Sequence, residues 1–144
     1  MKKDDVELLG AVYGTVSMGA GATEHLLSVT KDPALRDEFT NQLGHYRAIE
    51  AAALNRLHRL HEKPDDFGSM TKLMSKAGIK LNTALDASSS HLAEMAIQGA
   101  GMGITEIEGA KNSCPNASDE AKHLAEALVD FEKQCGEDLK KYLR

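Results

Sequence analysis

Residues 19–50 read GAGATEHLLSVTKDPALRDEFTNQLGHYRAIE, and this stretch decides the fold. At its centre, Lys31-Asp32-Pro33 breaks one helix and starts another. Asp32 is placed to cap the second helix, and Pro33 fits the first helical position, where a backbone N–H has no partner to lose. Beyond the turn, Leu35, Phe39, Leu43, Tyr46 and Leu57 follow the three-and-four spacing of one helix face, which predicts a helix to about Glu62. Before the turn, a first helix is expected from about Asp5 to Thr30.

The same pattern recurs 82 residues later. Residues 101–132 align with 19–50 without a gap, matching Gly19, Gly21, Thr23, Glu24, Pro33, Asp37, Glu38 and Glu50 to Gly101, Gly103, Thr105, Glu106, Pro115, Asp119, Glu120 and Glu132. The aligned prolines mark two turns of the same kind, so the spacing predicts two similar helical hairpins. A third helix is expected over roughly Ile79–Asn112. Cys114-Pro115-Asn116 breaks it, and Ser118 caps a fourth whose first turn holds Asp119 and Glu120.

Between the hairpins, Lys63-Pro64-Asp65-Asp66-Phe67-Gly68 reads as a loop, and Ser69 to Lys76 as a short helix ended by Gly78. Its Met70 and Met74 are spaced to dock one side on the bundle. With aromatics at 4% and no period-two segment, strand signals are absent. The expected fold is all-α: an antiparallel four-helix bundle of two repeated hairpins, 5–62 and 79–143, with a short extra helix in the crossover 63–78. The runs Met18-Gly19-Ala20-Gly21-Ala22 and Gly99-Ala100-Gly101-Met102-Gly103 fall at equivalent places. They read as close-packing surfaces, since no strand precedes them as in a phosphate loop.

A chain of 144 residues, 42% hydrophobic and 27% charged, is that of one globular domain. A net charge of -5 argues against nucleic-acid binding, which requires a basic surface. Acidic Asp4 and Asp5 after Lys2 and Lys3, with no leucine-rich run, do not make a signal peptide, and the stretch to Thr23 is too polar to span a membrane. Cys114 and Cys135 are the two cysteines, far apart and outside any CxxC, which suits a reduced, cytoplasmic protein without disulfides.

Polar residues on the apolar faces carry the functional reading. Projection at 100° per residue puts Glu50 in the middle of the second helix's stripe and Glu132 in the middle of the fourth's. Buried carboxylates need a cation, a proton or a hydrogen-bond network. The third helix presents His91, Glu94 and Gln98 on one face, and Cys135 and Tyr13 fall at comparable depth. Glu24, Glu106, Gln42-x-x-His45 and His123-x-x-Glu126 form a second set nearer the turns, read as hydrated surface. His58 and His61 sit where they complement a helix C-terminus.

With this layout and these carboxylates, the chain resembles the ferritin-like superfamily of rubrerythrin- and bacterioferritin-related bundles. The resemblance implies a site in which Glu50 and Glu132 correspond to the glutamates of two Glu-x-x-His motifs and Glu94 to the ligand of the third helix. Ala53 and Cys135 stand where the motif histidines would be, Val12 or Tyr13 where the first helix would supply a glutamate, and His91 precedes Glu94 in reversed order. The expectation is therefore a non-catalytic or vestigial member, acting through self-association, as a dimer, or through a partner. The alternative is a metal-binding or redox protein holding iron, manganese or zinc through Glu50, His91, Glu94 and Glu132, with Cys135 and Gln98 nearby.

Overall fold

The computed structural model describes residues 2–62 and 86–144. Among them are four long helices: α1 Lys2–Val29, α2 Pro33–Arg59, α3 Ser89–Ser113 and α4 Asp119–Leu139, closed by a 3-10 turn at Lys140–Tyr142. No strand occurs among the described residues. The expected short helix at Ser69 to Lys76, with Met70 and Met74, lies outside them.

The turn chemistry acts as the sequence implied. The Asp32 carboxylate accepts the Leu35 N–H at 2.9 Å, and Pro33 opens α2. The Ser118 hydroxyl accepts the Ala121 N–H at 3.2 Å. Asp4 and Asp5 accept backbone N–H groups of Asn116 and Ser118, which ties the start of α1 to the second turn. The third helix departs from expectation, since residues 86–88 are not helical. There Asp86 accepts the Ser88 N–H at 2.8 Å, and the Ser88 hydroxyl accepts that of His91 at 3.3 Å. Short polar side chains that bond the backbone in this way compete with the helix, and α3 begins at Ser89.

α2 ends in a Schellman motif. The His61 N–H reaches the His58 carbonyl at 3.0 Å and the Glu62 N–H the Leu57 carbonyl at 2.9 Å. The left-handed residue is His61, at φ 61°. A side chain there is unfavourable where glycine is not, so His61→Gly is expected to stabilise the protein by about 0.5–1 kcal/mol, read as a raised urea midpoint at unchanged slope.

α1 packs on α2, α3 on α4, and α1 against both helices of the second pair. The buried residues form two clusters. The larger joins Leu8, Val12 and Val16 of α1 to Leu57 of α2, Ile107 of α3 and Leu128 of α4. The smaller, at the other end, holds Leu26, Leu35, Phe39, Leu92, Ala93 and Leu139. No described helix is long and apolar enough to cross a membrane.

The glycine runs do not simply let two backbones approach. A methyl at Gly19 would stand 2.7 Å from Cζ of the Tyr46 ring, and one at Gly103 would stand 2.8 Å from Cδ of Glu132. Gly21, Gly99 and Gly101 face nothing within 4 Å. One glycine on α1 thus seats a tyrosine, and one on α3 seats a carboxyl group.

Candidate functional site

Between the two core clusters the bundle is not filled. On α1 the large cluster ends at Ala20 and the small one begins at Leu26; on α3 the break falls between Ala93 and Ile107. At this level the side chains are small or polar, and they enclose a cavity of about 230 Å³. It reaches solvent along α3, where Gln98, Gly99 and Met102 are exposed, Met102 at 43%. Met18, Leu26 and Met95 supply apolar wall.

Glu132 enters this cavity from α4, lying over Gly103. The residue is 2% exposed. Its Oε2 accepts the Tyr46 hydroxyl at 3.1 Å, while its Oε1 has no partner among the described residues. Burial pushes the carboxyl up from 4.5 to about 8, with the Tyr46 bond acting weakly the other way. The group is therefore largely protonated at pH 7. Burial first, and then the charge of an ionised Glu132, raise Tyr46 well above 10, so it keeps the proton that it donates to Oε2. Its ring is fixed edge-on by Phe131, with centroids 4.9 Å apart.

Two further buried polar atoms lack partners among the described residues, and both belong to residues lining the same cavity: Thr15 Oγ1 and Gln42 Nε2. A fourth such atom, Arg56 Nε, has a Glu120 oxygen at 2.8 Å. Buried polar groups in folded proteins are nearly always satisfied, so three such atoms on residues that line one cavity single it out as the candidate site.

The residues expected from the sequence separate into different environments. Glu132 occupies the core as anticipated, and Cys135 lines the cavity beside it. Burial pushes the Cys135 thiol up to about 12, which makes it a poor nucleophile and a poor metal ligand at neutral pH. Glu50 is not at the centre of the core. Its side chain is 21% exposed, and it accepts bonds from Ser17 Oγ at 2.6 Å and Arg47 Nη1 at 3.0 Å. Arg47 also pairs with Glu24, so a charged seam between α1 and α2 holds Glu50 at the edge. Glu94 is exposed and accepts Gln98 Nε2 at 3.4 Å, whereas His91 is half-buried in the first turn of α3.

Among the described residues, no three of Glu50, His91, Glu94, Cys135 and Glu132 bring ligand atoms within 4.8 Å of one another; the group that does is Asp4, Glu7 and Cys114, at the bundle end. There the Cys114 thiol donates to Glu7 Oε2 at 3.3 Å, and burial first, then Glu7, raise it to about 11.

No protein family, curated protein or solved structure matches the chain.

The reading from sequence passed over Thr15, and it placed Gln42 with His45 on the hydrated surface. His45 is indeed exposed, stacked on Phe131 at 5.1 Å, but Gln42 is buried. The signal was present: Gln42 lies on the stripe set by Leu35, Phe39 and Tyr46, as a polar residue at an apolar position.

Proposed function

We propose that this chain is a non-catalytic small-molecule-binding bundle whose site is the cavity around Glu132. The observation that carries this reading is that Thr15 Oγ1, Gln42 Nε2 and Glu132 Oε1 all lack partners at one cavity. A cavity of 150 Å³ accepts benzene, so 230 Å³ corresponds to a ligand of about nine non-hydrogen atoms. A few polar groups among mostly apolar walls are the usual make-up of a binding pocket.

The ferritin-like, antiparallel arrangement belongs to the same proposal. Ser17 meets Glu50, Gly19 meets Tyr46 and Leu27 meets Arg36, so numbers rise on α1 as they fall on α2. Ser90 with Arg144, Gly103 with Glu132 and Lys111 with Glu126 follow the same rule in the second hairpin. The centre of the bundle, where the resemblance to ferritin-like proteins implies metal, would here hold an organic molecule.

Thermal shift across a panel of nine-atom amphiphiles, neutral and charged, tests the reading on wild type and on Ala22→Leu, which extends a side chain into the cavity. A ligand at one hundred times its Kd is expected to add about 2.7 kcal/mol of stability. The leucine variant should lose that response. A panel that shifts neither protein overturns the proposal.

A further inference from the structure

Resting on that reading, we infer that the ligand is a small primary ammonium compound, its nitrogen donating to Glu132 Oε1 and its apolar body lying along Met18, Leu26 and Met95. Among the described residues, the lining contains no lysine, arginine or histidine. Its titratable groups are Glu132 and Cys135 from α4 and Tyr46 from α2, while α1 and α3 contribute none. No cationic side chain among the described lining residues neutralises a Glu132 carboxylate, and burial favours its protonated form.

Several observations favour a cation over a neutral or anionic ligand. Oε1 is an unpartnered atom of an acid that is almost wholly buried, and an ammonium head group supplies both the opposite charge and the N–H donor that its carboxylate lacks. Polarisable thioethers of Met18, Met95 and Met102 line the cavity, together with Tyr46. The approach is acidic as well. α3 carries Glu94, Glu106 and Glu108 and no lysine or arginine before Lys111, and the chain has a net charge of -5. A metal ion is disfavoured because, among the described residues, Glu132 belongs to no group of three ligand-bearing side chains.

Binding then exchanges one cation for another. The neutral carboxyl releases its proton to solvent, the ligand arrives as R–NH3+, and an ion pair forms between the carboxylate and the ammonium. The Tyr46 hydroxyl keeps its bond to Oε2, and Gln42 and Thr15 remain available to the rest of the ligand or to water.

Calorimetric titration with phenethylamine, phenethyl alcohol and phenylacetate tests this, since the three share a size and differ in charge. The amine is expected to bind, to release close to one proton per molecule at pH 6.5 in buffers of different ionisation heat, and to gain about tenfold in affinity per pH unit up to pH 8. Glu132→Gln, which keeps the shape of the side chain, should abolish the proton release and the pH dependence together. Equal binding of alcohol and amine, or preference for phenylacetate, overturns the ammonium inference and leaves a small-molecule site. Binding by none of the three, while another panel member shifts the melting temperature, overturns this inference alone; a panel without any binder overturns both.

Discussion

Glu132→Gln is expected to make the protein more stable at pH 9 by up to about 5 kcal/mol, and to leave its stability at pH 5 nearly unchanged. The folded carboxyl titrates at about 8 and the unfolded one at 4.5. Below 4.5 both states carry the proton and the group contributes no pH dependence. Between 4.5 and 8 the folded state holds a proton that the unfolded chain has released, so wild-type stability falls as pH rises, by about 1.4 kcal/mol per unit. Above 8 both are ionised and the full cost of the buried charge remains. Because a domain has only about 5–15 kcal/mol in total, this single carboxyl should dominate the alkaline side of the pH profile. Urea midpoints at pH 5, 7 and 9 for both proteins check it; parallel profiles would show that the folded carboxyl is solvated.

The second large effect is expected at Gly103. Gly103→Ala places a methyl 2.8 Å from the carboxyl carbon of Glu132, on a side chain that is 2% exposed and held by Tyr46. The carboxyl must move or the helices must part, at a cost of about 2–4 kcal/mol from overpacking and the lost hydrogen bond. Helix propensity returns no more than about 1 kcal/mol. Gly101→Ala, two residues away with nothing within 4 Å, should instead stabilise by up to about 1 kcal/mol. Opposite signs at two glycines of one run would separate a seat for a side chain from a general tolerance of small residues. Truncating Glu132 to alanine should relieve much of the Gly103→Ala penalty, a coupling that a double-mutant cycle reads directly.

The helices were legible because local chemistry sets them. Asp32-Pro33 and Ser118 cap where they stand, and the three-and-four spacing of α2 and α4 put Leu35, Phe39, Leu57, Leu124 and Leu128 in the core as expected. The start of α3 was less legible, since Asp86 and Ser88 act by bonding backbone groups within a few residues, which an apolar pattern does not register. Glu132 was readable from its stripe alone.

Glu50 misled because the internal repeat equates it with Glu132, while its environment is set by Arg47 and Ser17, neither of which the repeat matches in the second hairpin. Helical projection assigns a direction; it does not show which neighbour reaches across. The cavity itself was illegible for a related reason. It arises where α1, α2, α3 and α4 all present small or polar residues at one level, and the relative levels of four helices are a property of packing. The glycine runs hinted at it, but Gly19 serves Tyr46 and Gly103 serves Glu132, pairs offset from the 82-residue repeat.

The most direct test of the account is the titration of the Glu132 carboxyl carbon itself, followed by ¹³C NMR in protein labelled at glutamate and assigned with Glu132→Gln. A midpoint near 8 that falls when phenethylamine is added is the predicted result: a buried, proton-holding group facing a site that a ligand cation can occupy. A midpoint near 4.5, unmoved by the amine, would contradict it, since the carboxyl would then be hydrated and the cavity no more than a water-filled gap in the core.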